Sequence, residues 1–144
     1  METTMMGKVV VAAKIENMTD ATLIREGIDI KRPIRTVHVD DALVDTGATM
    51  LSLPQRLIVE LGLKQVSSRT ARTPAGIRTF PVFETVRLTV QDRECDVPVC
   101  ELPDTCPVLI GQIPLEMLDF VVDPGRQQLI GNPDHGGVQM IDMF

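Results

Sequence analysis

Asp45-Thr46-Gly47-Ala48 is the run of this chain best suited to chemistry. It sets a carboxylate between two apolar stretches, Ala42-Leu43-Val44 before it and Met50-Leu51-Ser52-Leu53-Pro54 after it. A carboxylate entering an apolar stretch is costly unless it is hydrogen-bonded or its charge is shared, and a glycine two residues on lets backbone N–H groups approach it. That suits a catalytic carboxylate. Asp, Thr and Gly are also common in plain turns, so the tetrapeptide alone leaves both readings open. His38, Asp40 and Asp41 lie just upstream and, with Asp45, are hard or borderline metal ligands. If strand alternation persists, His38 and Asp40 face one side and Asp41 and Asp45 the other, which splits the set; no metal is expected. Ser52, Ser67 and Ser68 lack a Gly-x-Ser-x-Gly setting, and nothing ties His38 or His135 to them.

The elements that must position Asp45 read mainly as strands. Lys8 to Ile15, Ile34 to Val39, Ala42 to Val44, Phe83 to Val90 and Glu94 to Glu101 are each rich in Val, Ile, Thr or Phe. Val86, Leu88 and Val90 repeat with a period of two that buries one face, and Gln91-Asp92-Arg93 reads as the loop to the next strand. Two segments look helical: Pro54 to Lys64, opened by Pro54 and closed by Gly62, and the short Pro114 to Leu118. Between Ser67 and Pro81 a Pro74-Ala75-Gly76 centre with Thr-rich polar arms predicts a hairpin with too little apolar content to stay in the core. Such a hairpin is a surface loop or a lid over a cleft. Pro107-Val108-Leu109-Ile110-Gly111 is a buried-strand run ending in glycine, and Leu129-Ile130-Gly131 reads as the end of a terminal strand.

Length and composition bound the rest. A chain of 144 residues suffices for one domain with its own core, and without Trp or Tyr that core is aliphatic. A net charge of −6 and few aromatics argue against nucleic acid; Arg69, Arg72 and Arg78 read as a solvated hairpin face. Val9 to Ala13, the longest early apolar run, is too short for a signal or a membrane span, so the expectation is a cytoplasmic protein with no membrane partner. Cys95, Cys100 and Cys106 form no Cys-x-x-Cys pair and fit free thiols.

The order of an Asp-Thr-Gly-Ala turn, a polar hairpin, a Leu109-Ile110-Gly111 strand and a short helix resembles the retropepsin-like aspartic proteases, retroviral-type domains that also occur in bacteria and eukaryotes. The resemblance covers about Ile34 to Ile130. It implies a mainly-β acid-protease fold, a closed, barrel-like domain with a flap hairpin and one or two short helices. That single domain would span 1–144, with its core at about 34–130, an N-terminal extension over 1–33 and a mobile tail over 133–144. Residue by residue, Asp45 matches the catalytic aspartate, Thr46 the hydroxyl that ties two active-site loops together, and Gly47 the glycine supporting the carboxylate. Ala48 matches the small residue after it, Gly76 the tip of a flap formed by Pro74, Ala75, Gly76 and Ile77, and Leu109-Ile110-Gly111 the strand beneath the catalytic loop.

Aspartic-protease chemistry needs two carboxylates sharing a proton, and this chain holds one Asp-Thr-Gly, so the resemblance implies a homodimer with Asp45 from each copy. The charged carboxylate acts as base on a bound water while the protonated one hydrogen-bonds the scissile carbonyl, with no metal or other cofactor. A peptide or protein substrate would lie as an added strand under the flap. Met50, Ile77, Val82 and Ile113 are apolar candidate pocket positions. The alternative is a catalytically silent dimerisation or peptide-binding module of the same fold.

Overall fold

The computed structural model describes residues 8–143, so expectations that fall on Met1 to Gly7 lie outside the described residues. The chain is mainly β. β1 (Val9–Asn17) leads into α1 (Met18–Arg25), and β2 (Thr36–Val44) and β3 (Leu51–Pro54) flank the Asp45 turn. After α2 (Gln55–Glu60), β4 (Gln65–Thr73), β5 (Gly76–Val90) and β6 (Arg93–Leu102) form two successive hairpins. β7 (Leu109–Ile110), α3 (Gln112–Leu118), β8 (Phe120–Asp123) and β9 (Gln128–Gly131) complete the order.

Seven strands join in one sheet, β1-β2-β7-β3-β6-β5-β4, and β1 also pairs with β5, so the pairing returns on itself with β4 left outside. β8 and β9 form a separate pair. Local chemistry explains the β5–β6 connection: Gln91 and Asp92 both take positive φ, the two-residue turn whose twist suits a hairpin. The expected alternation of Val86, Leu88 and Val90 is observed, all three being buried. They join Ile15, Leu51, Leu53, Val97, Val99, Ile110 and Leu118 in a core whose one buried aromatic among the described residues is Phe120, with half-buried Phe83 packed against it.

Two expectations need correction. The chain has a third α-helix, α1, where no more than two were expected. Its apolar pattern is weak; polar contacts fix it instead. Buried Asn17 caps it by accepting the Asp20 N–H at 3.0 Å and donates Nδ2 to the Leu61 carbonyl at 2.7 Å. The fully buried Asp20 carboxylate takes the Arg35 backbone N–H at 3.0 Å, Arg35 Nε at 2.9 Å and Arg32 Nη2 at 2.8 Å. Second, alternation does not persist through Asp40 and Asp41. Ala13 faces Val39 while Val11 faces Ala42, so β2 carries one extra residue there, a bulge that moves the inward positions from Val37 and Val39 to Ala42 and Val44.

Residues 1–33 were expected to lie outside the core. Of these, β1 is paired within the main sheet. Pro133–His135 forms a 3-10 turn capped by Asn132. No helix among the described residues is long and apolar enough to cross a membrane.

Candidate functional site

Asp45 follows directly on β2, and its surroundings come from three parts of the chain. Gly47 donates its N–H to Asp45 Oδ1 at 3.0 Å, and Ala48 donates to the Asp45 carbonyl at 3.0 Å, which closes the turn around the side chain. The Asp45 N–H donates to the Ile110 carbonyl at 2.9 Å. Asp45 and Ala48 are half-buried, while Thr46 and Gly47 are exposed, so the turn presents its carboxylate at the surface.

β7 runs between the two strands that flank this turn. It pairs parallel with β2, Leu43 against Leu109 and Val44 against Ile110, and antiparallel with β3, Leu51 against Ile110 and Ser52 against Leu109. Beyond β7 the backbone stays against the turn. Gly111 donates to Met50 O at 3.1 Å, Gln112 to Ala48 O at 2.8 Å and Ile113 to Thr49 O at 2.9 Å. The first N–H groups of α3 are thus spent on the 48–50 loop, fixing it to the helix. Gly111 makes this possible, because a Cβ there would lie 2.5 Å from Met50 O and 2.8 Å from Ala48 O. The structure therefore brings Asp45, Thr46, Gly47 and Ala48 together with Leu109, Ile110 and Gly111.

Pro74, Ala75, Gly76 and Ile77 sit apart, at the exposed end of the β4–β5 hairpin. Thr73 pairs with Gly76 and closes the turn, donating Oγ1 to Gly76 O at 2.7 Å and accepting the Ala75 N–H at 3.2 Å. Gly76, at φ 107°, needs the freedom of glycine. Of the apolar pocket candidates, Val82 is buried, whereas Met50, Ile77 and Ile113 reach the surface.

Cross-strand register reveals a relationship that sequence spacing hides. Leu43, Leu109, Ser52, Cys100, Val82 and Ser67 are successive partners from β2 to β4 and share one face of the sheet. The neighbouring row, Val44, Ile110, Leu51, Val99 and Phe83, faces the core. Asp45 follows directly after Val44, the last paired residue of β2.

No family model and no curated protein matches this chain. Among the described residues no three His, Cys, Asp or Glu side chains converge as metal ligands, and His38 and Asp40 instead line an open depression with Lys14, Gln91 and Asp92. All three cysteines are free thiols; burial pushes Cys95 up to about 12, helped by the charge of Asp96. A second polar cluster had no signal in the sequence reading: buried Asp119 accepts from His135 Nδ1 at 2.6 Å and Asn132 Nδ2 at 3.2 Å.

Proposed function

We propose that this chain is a retropepsin-like aspartic endopeptidase that works as a homodimer, with Asp45 of each copy forming the catalytic pair. The observation that carries the reading is β7 running between β2 and β3 with Gly111 against the backbone of residues 48–50. This holds a surface carboxylate on a loop braced by backbone hydrogen bonds, the preorganisation that general acid–base chemistry needs. The return of strand pairing from β5 to β1 supports a closed, barrel-like domain. The exposed β4–β5 hairpin supports the flap.

In the dimer the two carboxylates hold one proton between them. The ionised one takes a proton from a water that attacks the scissile carbonyl; the protonated one donates a hydrogen bond to that carbonyl oxygen. The hairpin covers an extended peptide and excludes water.

The test is digestion of a peptide library by the full chain, read by mass spectrometry, beside its sedimentation mass. Asp45→Asn is expected to abolish cleavage with the dimer mass retained. Cleavage that survives in Asp45→Asn, or a wild type that stays monomeric while cutting, overturns the proposal.

A further inference from the structure

We propose that Arg69 and Arg78 are specificity-determining residues that favour peptides carrying Asp or Glu beside the cleaved bond, an inference that rests on the endopeptidase reading above. Register places the two arginines. Arg69 pairs with Phe80, Ala71 with Arg78 and Thr73 with Gly76, all on one face of the hairpin; Thr70 with Thr79 and Arg72 with Ile77 occupy the other. The first face continues through Ser67, Val82, Cys100, Ser52 and Leu109 to Leu43, two residues before Asp45. On this face Ala71, Thr73 and Phe80 are half-buried while Arg69, Gly76 and Arg78 are exposed; on the other, Thr70, Arg72, Ile77 and Thr79 are all exposed.

Charge then points to the ligand. From Gln65 to Phe83 the chain has three arginines and no Asp or Glu, a basic hairpin on a protein of net charge −6. Arg69 and Arg78 are diagonal neighbours across the strand pair, and like charges so placed repel unless an anion lies between them. Among the described residues no carboxylate forms an ion pair with either. The charge of Arg69 also acts on the Cys100 thiol, against the effect of burial, as expected if its side chain leans over this face. An extended peptide under the hairpin would meet two unpaired guanidinium forks whose geometry suits carboxylates.

Arg72, with the same charge on the opposite face, is an internal control. The test compares kcat/KM of the full chain for peptide pairs that differ only by Glu or Gln within about three residues of a bond the wild type cuts. The Glu member is expected to be preferred by about tenfold at low salt, the preference shrinking as salt is added. Arg69→Gln with Arg78→Gln is expected to bring the ratio to about one, and Arg72→Gln to leave the ratio standing. A wild-type ratio near one, or a ratio that Arg72→Gln abolishes equally, overturns the assignment. Anisotropy titrations of labelled Glu- and Gln-containing peptides against Asp45→Asn separate this inference from the enzyme itself. A Glu preference that depends on Arg69 and Arg78, where the wild-type chain itself cuts no peptide, overturns the endopeptidase and sustains the recognition. Equal binding of both peptides overturns the recognition.

Discussion

Gly111 lies so close to Met50 that a Cβ on it would stand 2.5 Å from the Met50 carbonyl oxygen. Its φ of −87° is open to any residue, so the glycine is required for space and not for conformation. The nearest atoms all belong to the backbone of residues 48–50 and cannot swing aside. Gly111→Ala must therefore move that loop, and Asp45 with it. We expect a loss of about 1–3 kcal/mol in stability by urea denaturation, as for other overpacked sites, and a larger proportional loss of cleavage. An alanine variant with wild-type stability and activity would show that the contact is not what positions the turn.

Asp20 anchors α1 through charge. Side-chain hydrogen bonds from Arg35 hold its carboxyl well below the usual carboxylate range, with further bonds from the Arg35 backbone and Arg32, against the opposing effect of burial. A depressed folded value adds stability that is complete above the ordinary 3.8 and is lost as pH falls through the folded value. Asp20→Ala is expected to cost about 2–3 kcal/mol at neutral pH, less than a wholly buried pair because both arginines reach solvent. Urea titrations at falling pH should show the wild-type advantage shrinking; a constant advantage would mean that the carboxylate charge is not its source.

What the sequence disclosed follows the range of the interactions concerned. The buried period of Val86, Leu88 and Val90, the turn at Gln91-Asp92 and the closure of α2 by Gly62 are set within a few residues, and each was legible. α1 was missed because it lacks an apolar stripe and leans on Arg35, although Asn17 followed three residues later by Asp20 is a readable start signal. The bulge at Asp40 and Asp41 is a relation between two strands, which one strand's pattern cannot contain. Asp45 and Leu109-Ile110-Gly111 were recognisable as residue types. Their contact, and the common face of Arg69, Arg78 and Leu43, depend on pairings between distant strands.

Thiol reactivity should follow burial. Cys95, pushed up to about 12, and Cys100, also raised by burial, are poor nucleophiles near neutral pH, while Cys106 is more accessible. Timed iodoacetamide labelling of the native protein, mapped by mass spectrometry, is expected to modify Cys106 first and Cys95 only on unfolding. Early labelling of Cys95 would show that β6 opens locally.

Asp119 and His135 fasten the segment after β9 to the end of α3, with a pH dependence of defined sign. Asp119 occupies the left-handed position ending the helix and accepts from His135 Nδ1, Asn132 Nδ2 and, at 3.1 Å, the Met140 N–H. Asp142 faces the other ring nitrogen of His135 at 3.7 Å, and Arg93 Nη1 donates to the Asp119 carbonyl at 2.8 Å. The hydrogen bond to Asp119 raises His135 against burial, and the same bond lowers Asp119. The raised histidine contributes fully below its ordinary 6.5 and is lost as pH rises through the raised value. The lowered carboxyl contributes above 3.8 and is lost as pH falls through the lowered value. The clasp is therefore strongest between these limits. Amide resonances of Gly136, Gly137 and Met140, followed from about pH 5 to 9, are expected to shift together above 6.5 in the wild type and to stay flat in His135→Gln. Equal titration of both proteins would remove His135 as the fastening group.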